Sequence, residues 1–167
     1  RVSPEIRRSA LFDGAAGAQD LGGILVIDSA GNVIMDSRTA NPAPRNFANA
    51  DFFRALRDHP DLDLFIGVPF KNSRDGAWMI GLSRRRTNAD GSFAGAVVGT
   101  MGISYFKRIF GAFDLGANGT VTLFRADGRV MMRTPYHERD LGRDLSKGEL
   151  FQFYPKIRAG HFETTDR

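Results

Sequence analysis

Cysteine is absent from this 167-residue chain, which excludes disulfides and thiolate metal sites. An oxidising compartment and the cytosol both accept such a sequence. Histidine is scarce: His59, His137 and His161 lie far apart. No pair has the i, i+4 spacing that would set two metal ligands on one helix face, so no metal is expected. A glycine-rich phosphate loop is also lacking. Gly99-Thr100-Met101-Gly102 falls within a predicted strand, where small residues let something pack closely. Ser83 has no base legible beside it, and Asp61 and Asp63 sit in a polar loop. Catalysis by this chain is not expected. No apolar run reaches the roughly 18 residues that a membrane span needs. The first eight residues are too polar and charged for a signal peptide. The chain as given is expected to be soluble, as would be a piece lying between the spans of a membrane protein.

The composition is that of a globular domain with a real core, at 42% hydrophobic and 25% charged residues. The net charge is +4, but basic residues are mostly interleaved with acidic ones. The densest basic run, Arg84-Arg85-Arg86, suits a solvated strand end, so nucleic acid is not an expected partner.

The strongest internal signal is a repeat. GGILVIDSAGNVIMDS (22–37) lies over GTVTLFRADGRVMMRT (119–134), with Gly22 on Gly119, Val26 on Leu123, Gly31 on Gly128 and Met35 on Met132. Each copy reads as strand, tight turn, strand, with Gly where positive φ is needed. Two copies of one small domain in tandem are therefore expected. After the first hairpin come a proline-containing loop (38–46), a short helix (52–57) capped by Asn49 or Asp51 and ended before Pro60, and a strand (64–70). A turn (72–76), a strand (78–87), a hairpin turn holding Asp90-Gly91 and a long strand (93–104) follow. A short amphipathic helix (105–113) leads into the second copy, and residues 4–14 suit the tail of a helix entering the first.

The expected fold is thus α+β. Each module would be an antiparallel five-stranded sheet with helices on one side, preceded by an N-terminal helix. The boundaries expected are 1–20 for the end of that helix, 21–113 for the first module and 114–167 for the second. About fifty residues remain for the second, so it is expected to be incomplete in this chain.

The order GILVIDSAGNVIMDS, NADFFRAL, LFIGVPF, WMIGLSRRR, DGSFAGAVVG, SYFKRIF resembles the double Cache family, tandem PAS-like sensor domains of bacterial transmembrane receptors. LGANGTVTLFRADGRVMMRTP resembles the membrane-proximal half of the same family. The likeness covers about residues 10–145. It implies a periplasmic segment between two spans of an inner-membrane protein, dimeric through its N-terminal helix, with a diguanylate cyclase or histidine kinase as output. It also implies that a small ligand sits in the membrane-distal module, with Asp51, Phe52 and Phe53 on the helix and Trp78, Ser83 and Arg84 on the strand as candidate contacts.

Alternation sets Trp78, Ile80, Leu82, Arg84 and Arg86 on one face of that strand, and Met79, Gly81, Ser83 and Arg85 on the other. An arginine alternating with Ile80 and Leu82 is expected to point toward buried surface and to need a carboxylate. Asp51, Asp36 or an anionic ligand, forked bidentately by Arg84, could supply it. The amino-acid-binding branch of the family carries an Arg ahead of its aromatic pair, where this chain has Ala50. It also carries an acid on the last strand, where this chain has Thr100-Met101-Gly102. A carboxylate or other small anion is therefore expected rather than an α-amino acid. The rival expectation is a ligand-free module for dimerisation or protein contact, its cavity filled by some of the fourteen phenylalanines. A cytoplasmic PAS-type regulator with a cofactor is a third; with no Cys and no suitably placed His, no cofactor is expected.

Overall fold

The computed structural model describes residues 20–153, together with Ser3, Glu5, Ile6 and Phe12. The helix expected over residues 1–20 lies almost wholly outside the described residues; Glu5, Ile6 and Phe12 are helical, and Phe12 is buried. The chain divides into two compact units, Arg1–Phe106 and Lys107–Arg167.

The first unit holds β1 (Leu21–Ile27), β2 (Val33–Asp36), α1 (Asp51–Asp58), β3 (Leu64–Ile66), β4 (Phe70–Lys71), β5 (Trp78–Thr87) and β6 (Phe93–Gly102). Helix α2 (Ile103–Phe110) carries the chain onward. All pairings are antiparallel, in the order β2-β1-β6-β5-β3, with β4 also on β5. The continuous strand expected over 64–70 is broken into β3 and β4. Gly67 donates its N–H to the Gly81 carbonyl at 2.8 Å, and Pro69, which has no N–H to give a ladder, separates the two pieces. The long strand ends at Gly102 and the helix starts at Ile103, earlier than expected.

Helix α1 is amphipathic, burying Phe53 and Leu56. Its N-cap is Ala50, without a side-chain cap bond, instead of Asn49 or Asp51. Asp51 stands in the first turn, where a carboxylate favours the positive end of the helix dipole. The register puts Leu25 and Ile27 of β1, Asp36 of β2, Phe65 of β3, Ser83 and Arg85 of β5, and Ala96, Val98 and Thr100 of β6 on one sheet face. Helix α1 lies over one end of this face. Ile27 and Ala96 are fully buried there, and the ring of Phe53 meets Phe93 edge-on at 5.2 Å.

The second unit holds β7 (Val121–Phe124), β8 (Val130–Thr134), a 3-10 turn (Glu138–Asp140) and α3 (Glu149–Phe153). Its hairpin repeats the first in detail. Val33 N–H donates to Arg45 O at 3.0 Å and Val130 N–H to Arg143 O at 2.9 Å. Phe47 N–H donates to Gly31 O at 2.8 Å, and Leu145 N–H to Gly128 O at 3.0 Å. Gly31 (φ +90°) and Gly128 (φ +88°) sit at the same turn position, each against the backbone of the returning segment, at Ala48 and Ser146. The equivalence continues to the helix starts, Asp51 and Glu149. The duplication therefore reaches past the hairpins into the crossover.

Candidate functional site

Residues on the α1 side of the sheet form the best-organised polar site. Ser83 is central on it and only 2% exposed. It pairs with Val98 on one side and Phe65 on the other. Its hydroxyl makes no hydrogen bond among the described residues. No polar atom there is sealed off without a partner, so the small exposure that Ser83 keeps includes its oxygen. The oxygen is thus nearly enclosed yet open on this face, where a ligand atom can reach it and supply the hydrogen bond that the protein does not.

Beside Ser83 the sheet is clamped to α1. Arg85 Nη1 donates to the Leu56 carbonyl at 2.6 Å and to that of Arg57 at 3.3 Å. Away from α1, Leu25, Val98 and Thr100 are only half-buried, so this part of the face is less covered than the part under the helix.

The six residues singled out from the sequence separate in space. Ser83 and Phe53 lie on the α1 side, and Phe53 is core, 1% exposed. Phe52 is half-buried and packs on Phe47 with ring centres 5.8 Å apart. Asp51 is exposed and ion-paired to Arg54 at 2.7 Å. Trp78 and Arg84 occupy the opposite face. The Lys71 ammonium stands 5.4 Å from the Trp78 ring centre.

The buried orientation expected for Arg84 is corrected. Its side chain is 64% exposed and pairs with Asp63, itself 75% exposed. Burial falls along that face from Ile80 through Leu82 to Arg84, whose side chain stands beside the edge strand β3 and turns out to the exposed Asp63. The hydrogen bond that the guanidinium donates to the Asp63 carboxylate holds its pKa above the ordinary value. Neither acid named as its partner is used: Asp51 holds Arg54, and Asp36 accepts from Arg45 at 2.8 Å.

Sequence reasoning missed Arg38. Its guanidinium lies over Gly23 on the Ser83 side, and it was hidden in what read as an ordinary loop. The legible signal was the Gly22-Gly23 pair, which offers no side chain beneath it. Among the described residues no group of three His, Asp or Glu side chains could hold a metal.

Residues 103–166 match the family model dCache_1_like, described as a histidine kinase sensor domain. The structure is similar to the extracellular domain rpHK1S-Z16, assigned to a histidine kinase, with 31% identity, TM-score 0.71, and coverage of 89% of this chain and 59% of that one. It also resembles the ligand-binding domain of the Pseudomonas aeruginosa PAO1 amino-acid chemoreceptor PctB, solved with L-Arg (16% identity, TM-score 0.65, 88% and 56% covered). A third similar fold is the ligand-binding domain of the P. aeruginosa PAO1 chemoreceptor PctC, solved with GABA (14% identity, TM-score 0.51, 76% and 55% covered). The chain thus spans 55–59% of the length of these structures. No curated protein matches it. These are described as a sensor domain, an extracellular domain and ligand-binding domains.

Proposed function

We propose that this chain, a dCache_1-like sensor domain with a PAS-like Cache fold, is the small-molecule-sensing part of a histidine kinase anchored in the inner membrane. Its ligand lies on the α1 side of the first sheet, against Ser83. The observation that carries this is the Ser83 hydroxyl, nearly buried and without a hydrogen-bond partner among the described residues. The extracellular placement of the rpHK1S-Z16 domain and the family's description support a periplasmic segment with a kinase output. The ligand-bound chemoreceptor domains of like fold support a small-molecule role. In this reading residues 21–113 are the membrane-distal sensing module, residues 114–167 begin the membrane-proximal one, and the receptor works as a homodimer.

The ligand acts through α1. Arg85 fastens the end of that helix to β5, two residues from Ser83. A ligand that binds better when α1 and sheet hold one arrangement shifts the population toward it, by no more than its differential affinity. Of the residues selected from sequence, Ser83, Phe52 and Phe53 belong to this arrangement. Asp51 borders it at the start of α1, while Trp78 and Arg84 belong to the other face.

A thermal-shift screen of small metabolite-like compounds on the full chain tests the proposal. A ligand at about 100 times its Kd stabilises by roughly 2.7 kcal/mol, a shift of several degrees. The expected result is a set of stabilising compounds whose effect shrinks in Ser83→Ala. A folded protein that no compound stabilises, or hits indifferent to Ser83→Ala, would remove the site.

A further inference from the structure

We infer that the site runs from Ser83 to Arg38 and takes a small organic anion that carries no ammonium group; this rests on the sensing reading above. Arg38 follows β2 and lies across from Gly23. Its Nε, Cζ and Cδ stand 2.8, 3.0 and 3.2 Å from the point where a Cβ on Gly23 would be. The side chain therefore rests on bare backbone. Gly22 does the same for β6: a Cβ there would stand 1.9 Å from Thr100 Oγ1 and 2.9 Å from Met79 Cε. The register slip between Leu21 and Ile24 brings both glycines opposite Thr100, a bulge that re-aims what surrounds it.

Two cationic or polar groups are left over at this end. Arg38 is exposed and Thr100 half-buried, and neither the guanidinium nor the Thr100 hydroxyl makes a hydrogen bond or ion pair among the described residues. Asp36, two residues from Arg38 and on the same face, is already committed. One of its oxygens accepts from Arg45 Nη2 at 2.8 Å, the other from the Arg38 backbone N–H at 2.9 Å. The Arg38 side chain thus reaches solvent over Gly23 with no carboxylate partner among the described residues, open to an incoming anion.

From Ser83 on β5 to Gly23 on β1 the face crosses two strand spacings, about 10 Å. The floor between them is Val98 and Leu25, half-buried and apolar. A guanidinium fork at one end suits a carboxylate, the apolar floor suits a short methylene chain, and the Ser83 hydroxyl suits a second polar group. Among the described strand residues one carboxylate, Asp36, stands on this face, and it is already paired with Arg45, so an ammonium would meet the Arg38 and Arg45 charges with no free strand carboxylate to offset them.

The test is a titration of the full chain with succinate and glutarate, beside L-aspartate, L-glutamate and neutral succinamide, followed by thermal shift and calorimetry. Dicarboxylates are expected to stabilise, and the amino acids and the amide are not. Arg38→Ala should weaken the dicarboxylates at least tenfold, and Arg38→Lys less. Gly23→Ala, whose methyl would collide with the Arg38 side chain, should weaken them like Arg38→Ala. Arg84→Ala should leave them unchanged. Stabilisation by amino acids or neutral compounds that depends on Ser83 but not on Arg38 would overturn this inference and leave the sensing site standing. If neither this set nor the broader screen stabilises the folded protein, both readings fall.

Discussion

Arg85 closes the end of helix α1: its guanidinium reaches the carbonyl of Leu56 at 2.6 Å while Cζ stands 4.9 Å from the Phe93 ring centre. The last carbonyls of a helix have no partner within it, and a cation there also opposes the negative end of the dipole. One side chain thus joins the strand that carries Ser83 to the helix that covers the face.

Arg85→Ala is expected to destabilise the chain by about 1.5–3 kcal/mol, the range for hydrogen bonds to a charged group. Arg85→Lys should recover part, since it restores the charge but not the planar fork. Urea unfolding followed by circular dichroism measures both. A loss no larger than about 0.5 kcal/mol, usual for an inert surface position, would mean that the clamp contributes nothing.

The second prediction concerns the two hairpin turns. A Cβ on Gly31 would lie 2.5 Å from Ala48 N, and one on Gly128 would lie 2.6 Å from Ser146 Cα. Both obstacles are backbone, and both glycines have positive φ. Gly31→Ala and Gly128→Ala should therefore each destabilise their own unit, by more than the roughly 1 kcal/mol that a left-handed conformation alone costs a residue with a Cβ. Hydrogen exchange read separately for each unit checks this. Gly91→Ala is the control, since it shares the positive φ but meets no atom within 4 Å. Equal losses at all three positions would mean that φ alone matters and that the duplicated close approach is unimportant.

The sheet was largely legible from sequence because alternation is a strong signal where one face is covered. The bounds of β5 and the sorting of Ser83 and Arg84 to opposite faces both came from it. It misled at Arg84, because being on the same face as buried Ile80 does not make a position beside an edge strand, with an exposed acid in reach, buried. The break between β3 and β4 was hidden inside an apolar run whose only warning was Pro69. In the candidate site Ser83 was found and Arg38 was not. A loop arginine has no periodicity to mark it; its place depends on a bulge two strands' worth of sequence away, and two adjacent glycines were the sole trace. The reach of the duplication into the crossover was equally hidden, since backbone hydrogen bonds such as Phe47–Gly31 and Leu145–Gly128 repeat where the side chains do not.

The acid limb of stability supplies a third prediction. Hydrogen bonds from the Arg125 guanidinium hold the Asp127 carboxyl down at about 2 from its usual 3.8, one of them from Nε to Oδ1 at 2.9 Å. A carboxyl depressed in the folded state stabilises fully above its unfolded pKa, and that contribution is lost as pH falls through the folded value. The window is therefore pH 4 down to about 2. The side chain is 49% exposed, so solvent screens the pair and the effect is small. Asp127→Asn should flatten the fall of the unfolding midpoint over that window and change nothing in its shape above pH 5. An unaltered acid limb in the variant would show that Asp127 titrates as it does in the unfolded chain.

The last prediction separates a functional hydroxyl from a structural one at Ser83. A structural hydroxyl would have a protein partner, and deleting it would strand that partner at a loss of about 1 kcal/mol or more. Here no partner is found among the described residues, so Ser83→Ala removes a poorly solvated polar group and leaves a methyl of nearly the same size. The ligand-free protein is expected to keep its stability or to gain up to about 1 kcal/mol. Ser83→Val, which adds volume between Phe65 and Val98, should instead destabilise by roughly 1–3 kcal/mol through overpacking. Urea denaturation of the wild type and both variants, in buffer free of organic acids, reads these directly. A gain or no change in Ser83→Ala together with a weakened ligand response is the pattern of a residue kept for binding at some expense of stability. A loss of 1 kcal/mol or more without ligand would assign Ser83 to the core of the fold and move the search for the ligand toward Arg38 alone.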